Sequence, residues 1–134
     1  MKICFIADVR SSIARDWIAY FAARHEVHVL STFAAAADAI PGARVYSLAG
    51  ARPPASKRLR ALPWSAELHD GLAQPVKAKW LAARARRLVA EIQPDLLHSL
   101  RLPIEGYVGS ATGFRPHLIS AWGNDFTLYA DRFW

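Results

Sequence analysis

At 134 residues, with 53% hydrophobic and 21% charged residues, the chain is long enough for one cored domain and too apolar to be disordered. A single cysteine, Cys4, rules out an internal disulfide, and no Cys/His spacing builds a zinc site, so a reducing cytosol fits best. The net charge of +6 is concentrated between Arg52 and Arg87, where only Glu67 and Asp70 are acidic; such a segment suits an anionic partner or a solvated helix face.

The opening K-I-C-F-I-A-D, residues 2 to 8, is an apolar run that reaches an acid too soon for a signal-peptide core and reads as a central parallel strand. No stretch is apolar enough to span a bilayer. Ser11 and Ser12 are helix caps, and Ile13, Trp17, Tyr20 and Phe21 recur at helical spacing behind them. Residues 26 to 32 give a second strand, which completes a βαβ unit. The alanine-rich stretch 34 to 39 reads as a loop or short helix closed by Pro41-Gly42, and 43 to 49 as a third strand.

Prolines at 53, 54 and 63 break the region from Gly50 to Gln74, where a short helical piece is expected near 56 to 62 or 65 to 72. Pro75 suits the first turn of a long helix that ends before Pro94, with Val76, Trp80, Leu81, Leu88, Val89 and Ile92 on one face. Residues 96 to 100 form a fourth strand. A short helix follows over 103 to 113, with Gly106 and Gly109 allowing close backbone approach. Leu118, Ile119 and Ala121 mark a fifth strand that breaks at Trp122-Gly123-Asn124-Asp125, and Thr127 to Trp134 starts another helix. The order predicts an α/β fold: a Rossmann-like, doubly wound parallel sheet with helices on both faces, in a single domain over residues 1 to 134. The apolar Phe133-Trp134 ending on an unfinished helix suggests a piece of something larger.

The glycine-rich dinucleotide fingerprint, the G-x-x-x-x-G-K-S/T phosphate loop and the G-x-S-x-G elbow are all absent. What remains is a set of strand ends that converge beyond the carboxyl edge of such a sheet, where ligands bind. They carry Asp8, Ser11 and Ser12, with Arg15 in the helix that follows; His98, Ser99 and Arg101; and Gly123, Asn124 and Asp125. Hydroxyls, an imidazole, a guanidinium and carboxylates suit a hydroxyl-rich ligand, and a carboxylate or imidazole can orient or deprotonate a sugar hydroxyl. Each also has a structural reading: Asp8 satisfying its own loop, His98 as a hydrogen-bonded core histidine, Asn124 or Asp125 as a helix cap.

Four pieces, K-I-C-F-I-A-D, A-R-D-W-I-A-Y-F-A-A-R-H-E-V-H-V-L-S-T, Q-P-D-L-L-H-S-L and I-S-A-W-G-N-D, occur in an order that resembles the N-terminal domain of GT-B-fold glycosyltransferases of the retaining GT4 type. The resemblance implies an acceptor-binding half that is inactive alone, in an enzyme that moves a hexose from a nucleotide-sugar to a glycan or lipid-linked acceptor. It implies no metal and no cofactor, with the donor held mainly by a second domain whose E-x7-E glutamates are not found here. Where many members carry histidine before glycine after the fifth strand, this chain has Trp122, so the resemblance leaves Asp125, with His98, as the catalytic candidates. The other strand-end residues become substrate contacts. A cytoplasmic protein peripheral to an anionic membrane, held through Trp64, Trp80 and nearby arginines, is the matching expectation, with no nucleic-acid partner. The alternative is a non-catalytic flavodoxin-like binding or regulatory module.

Overall fold

A computed structural model describes residues 1–49, 65–123 and 125. The strands are β1 (Lys2–Ala7), β2 (Glu26–Ser31), β3 (Ala43–Ser47), β4 (Leu96–Ser99) and β5 (His117–Ile119). All pair in parallel, in the order β3-β2-β1-β4-β5. The helices among the described residues are α1 (Ser12–Ala22), α2 (Ser65–Ile92) and α3 (Tyr107–Thr112), the last entered through a π-helical turn at Leu102–Gly106. The single parallel sheet with its helices is the α/β Rossmann-like domain expected from the sequence.

Strand β1 is central, so alternate side chains must be apolar on both faces. Ile3, Phe5 and Ala7 join Ala14 and Ile18 of α1 in one core; Cys4 and Ile6 join Leu81, Ala85 and Val89 of α2 in the other. Burial pushes the Cys4 thiol up to about 12, which leaves it a small core residue.

Two expectations change. Helix α1 is capped by Ser11, whose hydroxyl accepts from the Ala14 amide at 3.4 Å. Its buried face, however, is Ala14 and Ile18, while Ile13, Trp17 and Tyr20 stay 66, 47 and 61% exposed. Aromatic residues on several sides of the helix blur the apolar period, and the small Ala14 allows the closer approach to β1. Helix α2, in turn, begins at Ser65, so the separate piece considered for 65 to 72 and the helix expected from Pro75 are one element. Pro75 therefore lies in its interior, where the ring nitrogen has no hydrogen for the Gly71 carbonyl. Leu81, Val89 and Ile92 of its expected apolar face are buried, with Trp80 and Leu88 half-buried against them. Residues 34–39 form turns without a helix.

Gly109 of α3 lies against β4 and β5 as its lack of a side chain permits: a Cβ there would collide with Ser99 Oγ and His117 Nε2. Gly109→Ala should therefore lower stability by about 1–3 kcal/mol. Urea unfolding tests this; a midpoint equal to wild type would show that Ser99 and His117 withdraw freely.

Candidate functional site

The loops after β1 and β4 leave for opposite faces, toward α1 and α3, so the strand order reverses between these two strands. That reversal opens a crevice at the carboxyl edge of the sheet. Asp8, immediately after β1, takes the Arg10 guanidinium as a fork, with Nε on Oδ1 at 2.9 Å and an Nη on Oδ2 at 2.8 Å. The Arg10 amide also donates to Oδ1 at 3.0 Å, so Asp8 does organise its own loop. Burial pushes Asp8 upward, but Arg10 and the charge of Arg101 outweigh it and hold the carboxyl below its usual range. The Arg10 guanidinium lies over the Phe33 ring, 3.3 Å from its centre. Ser11 caps α1, Ser12 is exposed in its first turn, and Arg15 reaches back to the Val9 carbonyl at 3.3 Å.

Across the crevice, Arg101 follows β4 with φ 154° and ψ 156°, a region close to glycine-only. Its Nε donates to Asp125 Oδ1 at 3.0 Å, while Oδ2 accepts from the Leu102 and Trp122 amides, each at 3.1 Å. The Asp125 side chain is 0% exposed, against 36% for Arg101. Asp125 thus acts as a clasp between the chains leaving β4 and β5, reaching back rather than forward. Gly123 beside it is exposed, and Asn124 lies outside the described residues.

His98 and Ser99 point to opposite faces of β4. His98 lies tilted against Phe5, ring centres 5.1 Å apart, and its Nε2 pairs with Ser120 Oγ at 2.8 Å. Burial, then the charge of His117, push its imidazole down to about 4. Ser99 Oγ donates to the Glu105 carbonyl at 2.9 Å, so its contact with His117 Nε2, also 2.9 Å, is one in which the imidazole N–H donates. The structure therefore groups Asp8, Arg101 and Asp125 in the crevice, puts Ser11, Ser12 and Arg15 on its α1 side, and keeps His98 and Ser99 within the sheet.

Sequence reasoning missed Glu105 and Thr32. Glu105, in the π-helical turn, is only 4% exposed; its Oε1 accepts from Thr32 Oγ1 at 3.0 Å, so its side chain crosses the end of β1 to reach the end of β2. Burial raises its carboxyl above the usual range, with Asp8 adding to the rise and its own amide, Thr32 and Arg101 opposing it. A signal was present in an acid between Pro103 and Gly106 just past a strand, but its partner lies far away in the chain. Among the described residues no group of three or more His, Cys, Asp or Glu is placed to hold a metal ion. The open hollow of about 670 Å³ lined by Lys2, Arg24, His25, Glu26, Gln93 and Asp95 lies at the opposite edge of the sheet.

Two outcomes follow from these contacts. Asp125→Ala leaves Arg101 and two amides unpaired and should cost about 3–5 kcal/mol in urea unfolding, with Asp125→Asn costing less. His98 titrates lower in the folded chain, about 4 against 6.5, so protons favour the unfolded state and stability falls as pH drops from 6.5 toward 4. Unfolding of His98→Asn at about pH 7 and about pH 5 should show that part of the slope removed; an unchanged slope would place it elsewhere.

Residues 2–133 match the family model described as glycosyl transferase 4-like. No curated protein and no solved structure matches the chain. The matched span takes in every strand, the crevice and the Arg101–Asp125 clasp. The chain belongs to the glycosyl transferase 4-like family.

Proposed function

We propose that this chain is the acceptor-side half of a retaining GT-B glycosyltransferase, which moves a hexose from a nucleotide-sugar to a glycan or lipid-linked acceptor. The observation that carries this reading is the grouping of Asp8, Arg101 and Asp125 at the strand-order reversal of a chain in this family. Asp8, Ser12, Arg101 and Gly123 offer the acceptor carboxylate, hydroxyl, guanidinium and backbone contacts. Asp125 and His98 act by position: Asp125 orients Arg101, and neutral His98 holds Ser120 at the exit of β5. The donor belongs mainly to a second domain, so the chain alone has no transferase activity. A non-catalytic flavodoxin-like module would use the same crevice, and the family match favours the transferase.

Membrane attachment through the basic segment is part of the same reading. Three of its arginines have partners: Arg84 donates to the Leu48 carbonyl at 2.6 Å and lies over Trp80, Arg86 donates to the Ala111 carbonyl at 2.5 Å, and Arg87 pairs with Glu91 at 3.3 Å. Lys79 and Arg87 are exposed, while Arg52, Lys57, Arg58, Arg60 and Trp64 lie outside the described residues. No helix among the described residues is long and apolar enough to cross a membrane. Anionic liposomes should bind the protein weakly at low salt and release it at high salt; binding indifferent to salt, or none, rejects attachment by charge.

The reading itself is tested by incubating the full-length protein with a range of nucleotide-sugars and saccharide acceptors and measuring nucleoside diphosphate release and glycan product. Transfer is expected from the full-length protein and not from residues 1–134. Asp125→Asn should lower kcat/KM on the order of 100-fold through misplacement of Arg101. Absence of transfer across all donors and acceptors would overturn the proposal.

A further inference from the structure

The crevice contains acids and arginines in nearly equal number, yet their charges are not equally engaged. Asp8 is neutralised by the fork of Arg10. Glu105 is shielded from water and tied to Thr32, where burial favours its uncharged form. Asp125 spreads its charge over two backbone amides as well as Arg101. Arg101 differs from all of these. Asp125 holds it by Nε alone, and among the described residues none of its hydrogen bonds uses the two terminal nitrogens. A guanidinium anchored on one edge by a buried carboxylate and partly open to solvent is pre-organised to receive two oxygens of an anion side by side. The costly backbone conformation at Arg101 aims this group from the point of strand reversal.

We propose that Arg101 is an anion seat: its terminal nitrogens bind a carboxylate or phosphate group carried by the ligand, and Glu105 sets how much of the Arg101 charge that anion feels. The inference rests on the acceptor-side reading for where the ligand comes from, and it narrows the acceptor to one bearing an acidic group close to the reacting sugar. The groups that face Glu105 are Asp8 from the end of β1, Thr32 from the end of β2 and Arg101 from the end of β4; Arg10 and Asp125 lie one contact further out. When Glu105 carries its proton, Arg101 has Asp125 in contact and the Arg10-paired Asp8 at longer range as counter-charges. As pH rises through the elevated Glu105 value, a further carboxylate competes with the ligand and anion affinity falls.

The test is an NMR titration of the arginine Nε–H and backbone amide signals with glucose, glucuronate, glucose 6-phosphate and inorganic phosphate at constant ionic strength. Glucuronate or glucose 6-phosphate should shift the Arg101 Nε–H and Leu102 amide signals at millimolar concentration. Each should bind at least about tenfold tighter than glucose, the difference one bidentate charged contact supplies. Arg101→Ala and Arg101→Lys should each lose that margin, with thermal melting confirming that they fold. A pH series with glucuronate, whose carboxylate stays ionised, should show affinity falling toward alkaline pH in wild type and flat in Glu105→Gln. A response to inorganic phosphate and glucose 6-phosphate, but not to glucuronate, assigns the seat to phosphate; the opposite pattern assigns it to carboxylate. Equal binding of glucose and its acidic analogues, no shift at Arg101, or the same pH slope in Glu105→Gln overturns the proposal. Anion binding at Arg101 in a protein whose full-length form transfers no sugar leaves the seat standing and removes the transferase reading. Transfer with no preference for acidic acceptors does the reverse.

Discussion

Burial of β1 on both faces is the constraint from which the rest of the molecule follows. A parallel strand flanked on both sides by parallel partners must be covered above and below, and only helices supply that cover without leaving amides unpaired. Ile3 and Phe5 therefore require α1, and Cys4 and Ile6 require α2. With α1 on one face and α3 on the other, the chain leaving β1 and the chain leaving β4 part company, and the opening between them is a product of core packing. The residues that line it are polar because the helices that bury the sheet do not reach over its edge.

Within that opening, geometry divides the polar residues by what holds them. Asp8 and Asp125 engage both carboxyl oxygens with protein donors, and Glu105 engages Oε1 with Thr32. Asp8 and Asp125 thereby fix two arginines, Arg10 over Phe33 and Arg101, whose terminal nitrogens make no hydrogen bond among the described residues. Carboxylates engaged in this way fix the direction of the cationic groups beside them, so the field in the opening is set by the fold before anything binds.

Much of this was legible in the chain itself. Short apolar runs mark β1, β2 and β4, because parallel strands buried on both faces cannot hide their composition; the edge strands β3 and β5 are only partly buried, with Leu118 exposed, and their signal is weaker. Ser11 announces α1, and Gly109 announces a close approach. The misreadings share a cause: each depended on a partner distant in sequence. Trp17 and Tyr20 look like core residues until β1 selects Ala14 and Ile18 instead. Pro75 resembles a helix start when the preceding turns of α2 are not in view. Glu105 is unremarkable as a residue, and only its reach to Thr32 makes it a buried acid.

The backbone at Arg101 bears on how variation at this position will behave. Glycine is the residue that its φ of 154° favours, by roughly 1–3 kcal/mol over other side chains. Glycine nevertheless has no side chain with which to hold Asp125. Lysine keeps the charge but carries the strain without the planar fork. Familiar measures of similarity between residues therefore lose their meaning here: the mildest change for the chain path is among the most severe for the crevice. A relaxed chain path and a held Asp125 therefore ask for different residues at position 101.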